Sequence, residues 1–121
     1  MRYVKKWRNI AIVAIIIDNH VKVKFTRDGK KILCPLGFYV DTDCWKIKYN
    51  LNAPLGYVYI SIADIGLGKA HFKHCTREGE ELYNTLLELA QEIDFDTGGY
   101  GGDGWVVWID NEGYLNWSYF D

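Results

Sequence analysis

Apolar and polar residues alternate with a period of two along most of this chain, and one stretch alone shifts to the helical period. Val21, Val23 and Phe25 alternate with Lys22, Lys24 and Thr26, which predicts a half-exposed strand. Trp45, Ile47 and Tyr49 alternate with Cys44, Lys46 and Lys48, giving a strand with one apolar and one basic face. A further strand is predicted over 57–62 and a shorter one over 70–75. The apolar stretch 32–40 is interrupted by Pro35 and Gly37, so it predicts an edge strand, a bulged strand or two short pieces.

The helical stretch is 76–93. Leu82, Leu86, Leu89, Ala90 and Ile93 recur at helical spacing and form one stripe. Thr76 is placed to cap the first turn, and Glu78, Glu80 and Glu81 lie where the helix dipole favours negative charge.

The chain opens on Arg2, Lys5, Lys6 and Arg8 followed by an unbroken apolar run over 10–17, which imitates a signal peptide. After the run come Asp18, Asn19 and His20 rather than a small-residue cleavage site. The run is also well short of the ~20 residues that span a bilayer. Its isoleucines and valines predict a buried central strand instead.

Residues 94–120 read as a glycine-rich loop, a strand WVVWI, a turn DNEG and a strand YLNWSYF. Asp110 opens the turn and Gly113 closes it with a positive φ, the chemistry of a type I turn ending in a bulge. Many strands, one late helix and a closing hairpin predict an α+β fold. The expected architecture is a twisted, mainly antiparallel sheet of about six strands, the helix packed on one face and a C-terminal aromatic hairpin. At 121 residues the chain is expected to be a single domain, 1–121.

Three cysteines, Cys34, Cys44 and Cys75, do not make a disulfide framework and suit a reducing cytoplasm. Residues 1–48 hold 11 Lys/Arg against 4 Asp/Glu, a balance of +7, whereas 49–121 hold 3 against 12, a balance of −9. Such polarity points to a charged partner unless the two halves interleave in space.

Little in the chain announces catalysis or a cofactor. There is no GxSxG, P-loop or HExxH motif. His71 and His74 lie three apart on a predicted strand and so point to opposite faces, which argues against a zinc site with Cys75. Gly98, Gly99, Gly101, Gly102 and Gly104 fit a literal calcium nonapeptide, but such sites need stacked copies and here there is one. No catalytic residue, metal ligand or cofactor is assigned, and the chain is not expected to be an enzyme. Lys22, Lys24, Lys46 and Lys48 could form a basic sheet face, but the acidic pI of about 5.9 argues against direct nucleic-acid binding.

The acids of the second half are interleaved with rings, which makes an interface for a basic protein: aromatic anchors supply buried area, carboxylates steer the encounter. The expected partner-binding residues are Asp94, Asp96, Tyr100, Asp103, Trp105, Asp110, Glu112, Tyr114 and Tyr119.

The ending GGDGWVVWIDNEGYLNWSYFD, about a fifth of the chain, resembles the closing hairpin of small bacterial immunity proteins that neutralise polymorphic or contact-dependent toxins. The likeness runs through Trp105, Trp108, Asp110, Gly113, Trp117 and Phe120. It implies a cytoplasmic, non-catalytic inhibitor that blocks one cognate toxin stoichiometrically, and a basic nuclease-type toxin fits the acidic surface. An inhibitor of another nucleic-acid enzyme, of phage or bacterial origin, and a small-ligand or carbohydrate-binding module are the alternatives.

Overall fold

The computed structural model describes residues 2–17, 20–41, 46–48, 53–61, 71–73, 76–97 and 104–120. Among them the strands are β1 (Arg2–Trp7), β2 (Ile10–Ile17), β3 (His20–Arg27), β4 (Lys30–Ile32), β5 (Gly37–Asp41), β6 (Lys46–Lys48), β7 (Tyr57–Ser61) and β8 (His71–Lys73). The helix α1 (Arg77–Thr97) and the strands β9 (Gly104–Ile109) and β10 (Leu115–Phe120) complete the order.

A six-stranded antiparallel sheet runs β1-β2-β3-β10-β9, with β4 beside β3. Two-residue turns join its first strands: Trp7 faces Ile10 across Arg8-Asn9, and Arg27 faces Lys30 across Asp28-Gly29. Asp28 and Gly29 both take positive φ (55° and 76°), the backbone that matches the twist of a tight hairpin. Arg8 also takes a positive φ (53°), unusual for a long side chain. It is held there by Glu81, whose Oε2 accepts from Nη2 at 2.8 Å, and by the Trp7 ring, 5.1 Å away.

The core lies on one face of this sheet. Ile10, Ile12 and Ala14 of β2, Val21, Val23 and Phe25 of β3, and Leu115 and Trp117 of β10 are buried against Leu82, Leu86, Leu89 and Ile93 of α1. The α+β arrangement, a mainly antiparallel sheet with one helix packed on it, is therefore present. Phe38 of β5 and Val58 of β7 enter the same core from a smaller sheet of order β6-β5-β7-β8. That second sheet, with its parallel β5–β7 pair, is absent from the sequence expectation.

Three details differ from the alternation read along the chain, and another decides among the alternatives left open for 32–40. Residues 2–7 form a strand although their pattern hides it, because Lys5 takes an inward position and its ammonium reaches Glu88 and Glu92. β2 is interior to the sheet as expected, yet on its other face Ile15 and Ile17 are exposed while Val13 is buried, so that side is covered only in part. The interrupted stretch 32–40 resolves into two pieces, β4 and β5. Finally, α1 runs four residues past Ile93, because no breaker intervenes and Thr97 Oγ1 donates to the Ile93 carbonyl at 2.7 Å. At its other end Thr76 Oγ1 caps the helix by accepting from Gly79 N at 3.0 Å.

Candidate functional site

The carboxylates expected to form one surface fall into two groups attached to different parts of the sheet. Asp110 and Glu112 occupy the turn between β9 and β10. Asp110 accepts at Oδ1 from the amides of Glu112 and Tyr114, each at 3.0 Å, and at Oδ2 from Asn116 Nδ2 at 3.0 Å. Lys22 Nζ of β3 stands 3.3 Å from the same oxygen. Burial pushes this carboxyl up, but the hydrogen bonds from Asn116, the Tyr114 amide, Lys22 and the Glu112 amide outweigh it and hold it below the usual aspartate value. Asp110 is thus committed within the fold as the organiser of its turn. Gly113 takes φ +86° and lends its carbonyl to Cys34 N at 3.1 Å, which fastens the turn to the chain after β4.

Tyr114, half-buried beside this turn, is flanked by cations. Lys22 Nζ lies 4.5 Å and Lys31 Nζ 4.1 Å from its ring centre. Glu112 is exposed at the turn's tip.

Asp94 and Asp96 belong to the last turns of α1, not to a loop. Lys5 binds Glu88 and Glu92 (3.4 and 3.8 Å) and Arg8 binds Glu81 (2.8 Å), so α1 runs along β1 from the Arg8 turn toward Arg2. Its C-terminal end therefore lies at the β1 side, whereas Asp110 is fixed to β3. Phe95 stands between Asp94 and Asp96 with 87% of its surface exposed, off the buried stripe. Both aspartates are exposed, no basic residue occupies the last turn, and no described residue pairs with them. Negative charge at the negative pole of a helix is uncompensated there, at a cost of roughly 0.3–1 kcal/mol per group. Phe95 is missing from the sequence-predicted set; its signal was a ring two positions past Ile93, off the stripe.

The other expected partner residues cannot be joined to either group. Tyr100 and Asp103, with the rest of the glycine loop, lie outside the described residues, and at Trp105 and Tyr119 the backbone alone is described. His74, Cys44 and Cys75 also lie outside. Among the described residues no three His, Cys, Asp or Glu converge as a metal site. Cys34 is fully buried, and that burial, opposed only by a backbone hydrogen bond at Leu36, pushes its thiol up to about 12; it is a core residue and no nucleophile at neutral pH.

All four ion pairs seen among the described residues join the basic opening half of the chain to the acidic second half. The charge halves interleave in space: three pairs join β1 and its turn to α1, and the fourth, Lys22 with Asp110, lies on the other face of the sheet. No helix among the described residues is long and apolar enough to cross a membrane. No protein-family model, curated protein or solved structure matches this chain.

Proposed function

We propose that this protein is a non-catalytic, protein-binding inhibitor of the immunity type, which neutralises a basic, nuclease-type bacterial toxin. The docking surface is the outer face of α1 at its C-terminal end, centred on Asp94, Phe95 and Asp96. The observation that supports the reading is the exposure of Phe95 between two exposed carboxylates that no described residue pairs with. An exposed ring is an anchor that a partner's pocket can bury, at roughly 25 cal/mol per Å² of apolar surface removed from water. The flanking carboxylates steer a cationic partner, and that partner relieves the repulsion they suffer from the helix dipole. Asp110 and Tyr114, expected in the same surface, stand at the β9–β10 turn beside Lys22 of β3, apart from this helix end.

The experiment recovers what co-purifies with the tagged chain from its native host and assays the nuclease activity so recovered with added wild type and with the Asp94→Asn, Phe95→Ala, Asp96→Asn triple variant. Stoichiometric inhibition by the wild type, at least tenfold weaker for the variant, supports the reading. Equal inhibition by both removes the helix end as the docking face, and absence of inhibition by either removes the function.

A further inference from the structure

The face of the six-stranded sheet that turns away from α1 has its own chemistry. Alternation and register place Arg2, Val4 and Lys6 of β1, Ala11, Val13, Ile15 and Ile17 of β2, and Lys22, Lys24 and Thr26 of β3 on this side. Lys31 joins them opposite Thr26, and Tyr114 stands between Lys22 and Lys31. The cross-strand rows therefore read Lys6-Ala11-Thr26-Lys31, then Val4-Val13-Lys24, then Arg2-Ile15-Lys22-Asn116. Cations rim a floor of small and β-branched side chains that is open at its β1 edge and at Ile15 (Val4 58%, Ile15 39% exposed) and closed at Val13 and, toward β10, at Asn116.

Among the described residues the charges on this face are positive except for Asp110, and four of its five cations have no described carboxylate partner. Arg2, Lys6, Lys24 and Lys31 are exposed and pair with no described carboxylate, in contrast to Lys5 and Arg8, which α1 neutralises. Asp110, the one described carboxylate that reaches this side, is taken up by Lys22 and Asn116. A pI of about 5.9 argues against a polyanion partner only if charge is averaged over the molecule, and the sheet separates what the average mixes.

We infer that this open face binds single-stranded nucleic acid. A protein partner carries both signs of charge and would bring its own cations against these lysines, whereas a phosphate backbone carries one sign throughout. Adjacent strands lie about 4.8 Å apart and alternate residues of a strand about 6.8 Å apart, so the rim spans roughly 14 Å in each direction. That is room for a few nucleotides, phosphates over the rim and bases over the exposed part of the apolar floor. The pattern is that of a shallow sheet platform, with lysines that hold phosphates as point charges. Among the described residues no loop or helix rises from this face to enter a duplex groove.

Fluorescence anisotropy of a labelled twelve-nucleotide oligothymidine tests this on the full chain. Binding in 50 mM salt should weaken by about 50-fold at 200 mM, the slope for about four neutralised phosphates on a single strand. Lys24→Gln with Lys31→Gln, and separately Arg2→Gln with Lys6→Gln, should each weaken binding about tenfold or more and flatten that slope, with the melting temperature unchanged because all four side chains are exposed. Asp94→Asn with Asp96→Asn should not weaken it, which separates this face from the proposed inhibitory one. No binding at 50 mM salt, variants indistinguishable from wild type, or equal competition by polyglutamate or by duplex of the same sequence would each overturn the assignment.

Discussion

Lys5 and Lys6 are neighbours on β1 and meet opposite fates. Lys5 points to the side that α1 covers, where its ammonium lies within 4 Å of both Glu88 and Glu92. Lys6 points to the other side, is exposed and meets no described carboxylate. The same contrast holds across the sheet: inward positions of β2, β3 and β10 build the core, and outward positions of β1 to β4 carry cations over a thin apolar floor. The difference teaches that charge in this molecule is used in two ways. On the covered side it fastens the helix to the edge strand, and on the open side it remains available.

The sharpest way to break this comparison is to cut one side chain from each face. Leu86→Ala, fully buried between helix and sheet, should cost about 2–5 kcal/mol in chemical denaturation, from lost burial and the cavity left behind. Val4→Ala on the open face should stay within about 0.5 kcal/mol. Equal losses would mean that the open face is covered after all.

A middle-sized effect belongs to Asp110, the one carboxylate that crosses the divide. Asp110→Asn should cost about 1–3 kcal/mol at pH 7, since a charged acceptor shared among two amides, Asn116 and Lys22 is lost. The sign of the pH dependence follows from the lowered carboxyl. Stability that it contributes is fully present above the ordinary aspartate value of 3.8 and disappears as the pH falls through the lower folded value. Wild type and variant should therefore converge in acid, and a gap that persists below that range would assign the loss to packing.

The smallest effect is expected where charge is merely matched at the surface. Glu88→Gln with Glu92→Gln should destabilise by less than about 1 kcal/mol and lose even that in high salt, because both glutamates are more than half exposed. A larger, salt-resistant loss would show that Lys5 is buried by its partners more than its position indicates.

How far the chain could be read follows from the range of the forces involved. The stripe Leu82, Leu86, Leu89, Ile93 and the cap at Thr76 act within a turn or two, and both stand in α1. Asp110 and Gly113 likewise set their turn through bonds that reach only four residues, with Asp110 N donating to the Tyr114 carbonyl at 3.0 Å and Gly113 N to the Asp110 carbonyl at 3.0 Å. The C-terminal extension of α1 was hidden because Asp94, Phe95 and Asp96 carry no core-facing signal, and their helical backbone is continued by Thr97 rather than by burial. As a result two candidate site residues moved from a supposed loop to a rigid helix end, and Phe95 came into view beside them.

What the amino-acid order determined by itself was local: the period of each element, the cap, the tight turns, and the separation of a basic opening from an acidic close. Only tertiary structure decided which carboxylate meets which cation, because ion pairs such as Arg8 with Glu81 join residues 73 positions apart and depend on where the helix is laid across the sheet. That placement is set by burial of the apolar stripe against β2, β3 and β10, a non-directional force that takes no account of charge. Packing therefore matched Lys5 and Arg8 on the helix side and left the cations on the other side of the sheet, Lys22 apart, facing outward.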